Sequence, residues 1–182
     1  MFSWCKALQT YFQGAKGIPC EARTLHYHTL NHLMFSTFTQ HRGNSFVLVC
    51  RPSLPSVPAQ IDSILQIHGK GFQGTYFVVR FFLKTMLDDP FQQHPVLQAS
   101  LWSQNLGQLV IVKPQDIESH FACLSFEWQG AKCQTVMSLS QVFSRQIDAY
   151  MPHRNIRLFT KPDCYYILYF NYFKFYLILT TY

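Results

Sequence analysis

Residues 59–84, AQIDSILQIHGKGFQGTYFVVRFFLK, constrain the fold of this chain more than any other stretch. Ile61, Ile64, Leu65 and Ile67 lead into a glycine-punctuated loop, and a run of β-branched and aromatic residues follows from Thr75 to Lys84. Two such runs joined by a glycine loop predict a β-hairpin. Arg80 then sits in the middle of a strand, where an unpaired buried charge would be costly. Alternation offers a way out, because Tyr76, Val78 and Arg80 share one face while Phe77, Val79 and Phe81 share the other. Arg80 is expected to pair with Asp88 or Asp89, or to lie across the ring of Tyr76.

Short strand-like runs continue on both sides of the hairpin: RTLHYHTL, HLMFSTFTQH, SFVLVC, LWSQN, QLVIVKP, HFACLSFEW and CQTVMSLSQVF. RPSLPSVP and DDPFQQHPVLQA carry prolines and read as connections. Many short strands at close spacing predict a mainly β chain, a small barrel or sandwich. Helix is expected only in brief pieces. PQDIESHF has Pro114 for a first turn and Asp116 and Glu118 near its amino end, and SLSQVFSRQIDAY is the second candidate. The organisation expected is a loose lead-in over residues 1–19, a β-rich domain over 20–150, and a basic then aromatic tail over 151–182.

That tail is nearly all apolar from Cys164 to Leu179, with only Asn171 and Lys174 polar. It falls short of the roughly 20 residues that span a bilayer. Lys174 near its middle would cost about 2.5–3.5 kcal/mol there. A pair of buried strands or an interfacial segment is expected rather than a membrane span. AT-rich codons encode the same residue types, so read-through or a misplaced exon is the alternative.

Only 13% of the residues are charged and 48% are hydrophobic, which excludes a disordered polyelectrolyte. The net charge of +6 favours weak attraction to nucleic acid or an acidic surface. The basic residues are scattered, and the densest group, Arg154, Arg157 and Lys161, is the candidate nucleic-acid contact. Six cysteines without a CxxC pair, and a start that lacks a secretory pattern, are expected to be free thiols in an intracellular protein. No cofactor is expected. His26, His28 and His32 come nearest to a metal set but match no common zinc spacing. Asp88 and Asp89 are adjacent and would point apart on an extended segment. GKGFQG misses the phosphate-loop spacing and precedes a strand, and no Gly-x-Ser-x-Gly elbow occurs. The sequence gives no support for an enzyme.

The order of phrases GNSFVLVCRP, PAQIDSILQIHGKGFQGTYFVVRFFLK and LWSQNLGQLVIVKPQDIESHFACLSF resembles the bromo-adjacent homology (BAH) family across about residues 43–126. Its most specific phrase is VVRFF, Val78 to Phe82. The resemblance implies a small distorted β-barrel, BAH-like or SH3-like, with one or two short helices. It further implies a nuclear, non-catalytic module of chromatin proteins that binds histone tails, nucleosomes or other proteins. Readers of methyl-lysine in that family use an aromatic cage. Here Phe81 stands where the motif has Trp and Phe82 matches its Phe, but Leu83 replaces the Tyr and Thr85 the Pro. Phe91 and Trp102 could add rings, so Phe81, Phe82, Phe91 and Trp102 are the candidate ligand contacts. HRGNSFVLV, HFACLSFEW and VMSLSQVF also look like the carboxyl-terminal part of Plavaka-type transposon-encoded proteins. That likeness implies a nucleic-acid-binding remnant, or a decayed copy without a maintained function.

Overall fold

The alternating and aromatic runs become strands in the computed structural model, which describes residues 4–13, 21–51, 54–69 and 73–139, and the backbone of 166–170 and 173–177. In chain order the elements are α1 (Cys5–Tyr11), β1 (Glu21–Leu25), β2 (Tyr27–Leu30), β3 (Leu33–Ser36), β4 (Phe46–Arg51), β5 (Leu54–His68), β6 (Gly74–Lys84), β7 (Ala99–Val112), β8 (Ile117–Trp128) and β9 (Ala131–Ser138). They belong to a compact unit, Met1–Leu139, and Ser140–Tyr182 forms a second. In the second unit β10 (Tyr166–Phe170) and β11 (Phe173–Leu177) form an antiparallel strand pair, from Tyr166–Leu177 to Phe170–Phe173. Arg154, Arg157 and Lys161 lie outside the described residues, as does the second helix candidate from residue 140 onward. Among the described residues, no helix is long and apolar enough to cross a membrane.

The predicted hairpin is present: β5 and β6 pair antiparallel from Ala59–Phe81 to Ile67–Gly74. From it the sheet runs β5-β4-β8-β9-β7-β6, and the β5–β6 pairing closes the ring. All the pairings are antiparallel, so the chain forms a closed six-stranded β-barrel. Closure pairs each of these six strands with two neighbours, while β1, paired with β5 alone among the described residues, remains an edge strand of the same sheet. A tight turn sets one register: Gln129 (φ 50°) and Gly130 (φ 76°) join β8 to β9, and both take left-handed conformations as a two-residue hairpin turn requires.

Ring contacts show which face is inside. Phe82 lies 6.1 Å from Phe46 and 6.1 Å from Phe121, on strands with which β6 does not pair, so these contacts cross the lumen. Phe46, Leu48, Phe82, Phe121 and Val136 form this interior cluster, with Phe38, Trp102, Leu106 and Cys123 packed against it. The opposite, outer face of β4, β5 and β6 presents Val47, Val49, Ala59, Ile61, Ile64, Phe77 and Val79. The β2–β3 hairpin covers that face with Phe35, which is 1% exposed.

Helix α1 is the third packing unit. Ala7 and Leu8 bury against Leu65, Ile67, Tyr76, Val78 and Ile111. The lead-in expected to be loose therefore contains an ordered helix. No side-chain cap or first-turn acid supports it, and seven residues are too few to be stable alone. Packing holds it, since burying a side chain the size of Leu8 stabilises by about 1.5–3 kcal/mol.

Four other expectations are corrected. Arg80 pairs with Asp62 rather than Asp88 or Asp89, through Nε at 3.1 Å and through Nη2. Asp62 is the extra residue of a bulge between Ile61 and Ser63, and the bulge lets it face Arg80. RPSLPSVP is not a separate connection, because β5 already includes Pro55 and Pro58. Their missing N–H groups are tolerated where β5 has a neighbour on one side only, its pairing to β6 starting at Ala59. PQDIESHF forms one 3-10 turn, Pro114–Asp116, and then enters β8. Asp116 closes that turn by accepting from the Lys113 backbone N–H at 3.0 Å, and the following residues alternate between the faces of the barrel. LWSQN and the QLVIV of QLVIVKP belong to one 14-residue strand, β7, which ends at Val112.

Candidate functional site

Strand periodicity decides which of the expected ligand contacts can meet. Phe82 points into the barrel at 5% exposure, and Trp102 joins the same cluster from β7. The Trp102 indole Nε1 donates to Ser100 Oγ at 2.8 Å, which fixes the ring. Phe81 packs against the outer cluster on the other side of the wall. Phe91 lies half-buried in the 3-10 turn Pro90–Gln93, which Asp89 caps by accepting from the Phe91 N–H at 2.9 Å. The structure thus brings together Phe82 and Trp102 and separates Phe81 from them.

Two residues missed in the sequence complete the end of the barrel where β4 begins. Arg42 is exposed, and its guanidinium carbon stands 5.5 Å from the Phe38 ring centroid and 5.7 Å from that of Phe46. Those ring faces are therefore already taken by a cation. Gln134 pairs across the sheet with Trp102 on β7 and Ser125 on β8, and so shares their face. It is 3% exposed. A glutamine inside an alternating strand is the signal that could have marked it. Nearby, burial pushes the Cys123 thiol up to about 11, with Arg42 pulling weakly the other way. Such a thiol stays protonated and inert at neutral pH.

A second feature lies on the outside of β6 and β7. Val79 pairs with Val110, and Phe81 and Leu83 follow on the same face of β6. Leu83 is 47% exposed and Val110 39%, and Met86 in the next loop is fully exposed. Gly107 leaves Leu83 uncovered: a Cβ added there would lie 3.5 Å from Leu83 Cδ2.

His120 links the barrel to the hairpin that covers it. Its ring stacks on Phe35 at 4.7 Å, and burial lowers its pKa against the raising effect of the Asn44 and Met34 backbone groups. The folded chain thus favours the neutral imidazole. The His120 contribution to stability is complete above pH 6.5, the ordinary value, and is lost progressively as the pH falls from there through the lower folded value. His28, whose ring edge meets Phe77 at 5.6 Å, is also lowered by burial and adds in the same direction. Melting temperature is expected to fall between pH 7 and pH 5, and His120→Phe should remove most of that slope. An unchanged slope in the variant would exclude His120 as its source.

No protein-family model matches this chain, no curated protein matches it, and no solved structure matches it. The barrel's own residues carry the functional conclusion.

Proposed function

We propose that the barrel is a non-catalytic interaction module that binds a protein partner, in a chromatin setting in the nucleus. The observation that supports this is the outer strip of Leu83 and Val110 with Met86 in the next loop, apolar side chains that stand exposed among the described residues. Exposed apolar patches of this kind mark protein contacts. A histone tail or another nuclear protein is the partner class that the sequence resemblance implies.

The competing reading is a nucleic-acid-binding remnant of a transposon-encoded protein, and the net charge of +6 favours it. Salt separates the two. Binding of the full-length chain to histone-tail peptides, to nucleosomes and to duplex DNA should be measured between about 50 and 200 mM salt. For a protein-binding module, affinity is expected to change little with salt. Leu83→Asp and Val110→Asp should weaken it about tenfold or more, since a charge placed on a desolvated apolar contact is costly, while the melting temperature stays near that of the parent. A steep fall with salt, together with insensitivity to both substitutions, would favour nucleic acid. No binding to any of the three would favour a decayed copy.

A further inference from the structure

The two strands of the β2–β3 hairpin pair with each other, and no barrel strand pairs with either among the described residues. Side chains therefore hold the hairpin to the barrel, along a seam of four rings. His28 of β2 meets Phe77 of β6 at 5.6 Å, Phe77 meets Phe35 of β3 at 5.5 Å, and Phe35 stacks on His120 of β8 at 4.7 Å. Each side of the seam supplies one phenylalanine and one histidine. Just past the hairpin the Phe38 N–H donates to the Ile61 carbonyl of β5 at 2.9 Å, which anchors the chain at the base of the hairpin.

The seam is poorly equipped to hold charge. His120 Nε2 is enclosed and has no hydrogen-bond partner among the described residues. The Asn44 and Met34 backbone groups favour the charged ring, but less than burial disfavours it. The surrounding elements supply no counter-ion. On β2 the facing group is His28, also disfavoured as a cation by burial, while His26 and His32 are exposed. Between β3 and β4, His41 Nδ1 accepts from the Asn44 N–H at 3.2 Å, and Arg42 sits over the Phe38 and Phe46 rings. Across the sheet β4 sets Val47 opposite His120, and beyond the end of β9 the Leu139 N–H donates to the His120 carbonyl at 3.0 Å. Of the carboxylates, Glu118 on β8 is exposed and accepts from Ser56 Oγ, and Asp62 on β5 is taken up by Arg80. The Phe35 face returns to an imidazolium only part of the hydration that burial removes.

From this geometry we propose that the β2–β3 hairpin is an acid-released flap: protonation of His28 and His120 puts two like charges into one apolar seam, and the hairpin detaches from the outer face of the barrel. Both imidazoles regain water in the open form, so acid favours opening and neutral pH favours closure. Phe77, Val79, Phe81 and Leu83 succeed one another on one face of β6, so release joins the face under the hairpin to the exposed Leu83 and Val110. Acid thereby lengthens the strip proposed as the protein contact. The release itself rests on the ring seam and not on that reading.

The test is hydrogen exchange of the full-length chain at about pH 7.5 and pH 5.5, with protection corrected for the intrinsic effect of pH on exchange. At one pH unit below the ordinary histidine value of 6.5, each of the two histidines favours the open form by up to about tenfold. The hairpin amides, Tyr27 to Ser36, are expected to lose about tenfold or more in protection at the lower pH and to stay less protected than those of β5–β6 and β8–β9 throughout. Hairpin amides that match the barrel strands at both pH values would mean a single global unfolding and overturn the flap. So would hairpin protection that does not change with pH. His28→Phe with His120→Phe keeps a ring at each place and should abolish the acid effect, and each single variant should remove part of it, which serves where the double variant does not fold. Release that persists in a folded double variant would overturn the proposal. His41→Gln should leave the release intact, and its loss there would overturn the assignment to the ring seam.

Discussion

Phe82→Ala is expected to lower the unfolding free energy by about 3–5 kcal/mol, the cost of emptying a packed aromatic position. Phe82 touches Phe46 and Phe121 across the lumen, so its removal leaves three strands facing a void that their closed hydrogen-bonding ring cannot collapse to fill. Total stabilities of domains this size are about 5–15 kcal/mol, so the variant should be partly unfolded in mild urea. Phe81→Ala, one residue away, removes the same ring from the partly buried outer face and should cost roughly 1–2 kcal/mol. Urea midpoints of the two variants against the parent decide the matter. Equal losses would mean that the barrel interior is not where the ring contacts place it.

The second large effect is expected at Phe35. This ring is 1% exposed, stacks on His120 and lies 5.5 Å from Phe77, and it is the main side chain by which the β2–β3 hairpin holds to the barrel. Phe35→Ala should cost about 3–5 kcal/mol. It should also do something that Phe82→Ala does not. With the hairpin loosened, water returns to His120, and its titration, followed by NMR, should move back up toward 6.5. A loss below about 1 kcal/mol, with His120 unmoved, would show that the hairpin is attached by other contacts.

The β5–β6 hairpin was legible because its signal is local: two strand-forming runs and a glycine loop in one stretch. The opposition of Phe81 and Phe82 was legible for the same reason, since period 2 needs no tertiary information. Which of the two faces inward was not legible, because that depends on strands that β6 never pairs with. The partner of Arg80 was hidden by the bulge at Asp62, which shifts one residue without any mark in the sequence. Gly107 made β7 look like two pieces, whereas in the fold it lies inside one continuous strand. Helix α1 carries none of the local signals of a helix and exists because Ala7 and Leu8 have somewhere to go. At the end of the barrel Trp102 could be named from its residue type, but Arg42 reads as an ordinary loop residue. Gln134 becomes conspicuous only once its face is known to be interior.

Closure of the ring through β4 and β8, where Val47 meets His120, also sets an order of events during synthesis. The run β4-β5-β6-β7 is built from sequential neighbours and can assemble as it leaves the ribosome, but β8 and β9 are the last of the six barrel strands to emerge. Until then Phe46, Leu48 and Phe82 line an open trough with two unpaired edges, on a chain with few charges to keep copies apart. Such a nascent chain needs either rapid release of residues 117–138 or a chaperone over the trough. Codon changes or pauses that delay this last hairpin would act on yield and aggregation without altering any contact of the finished barrel.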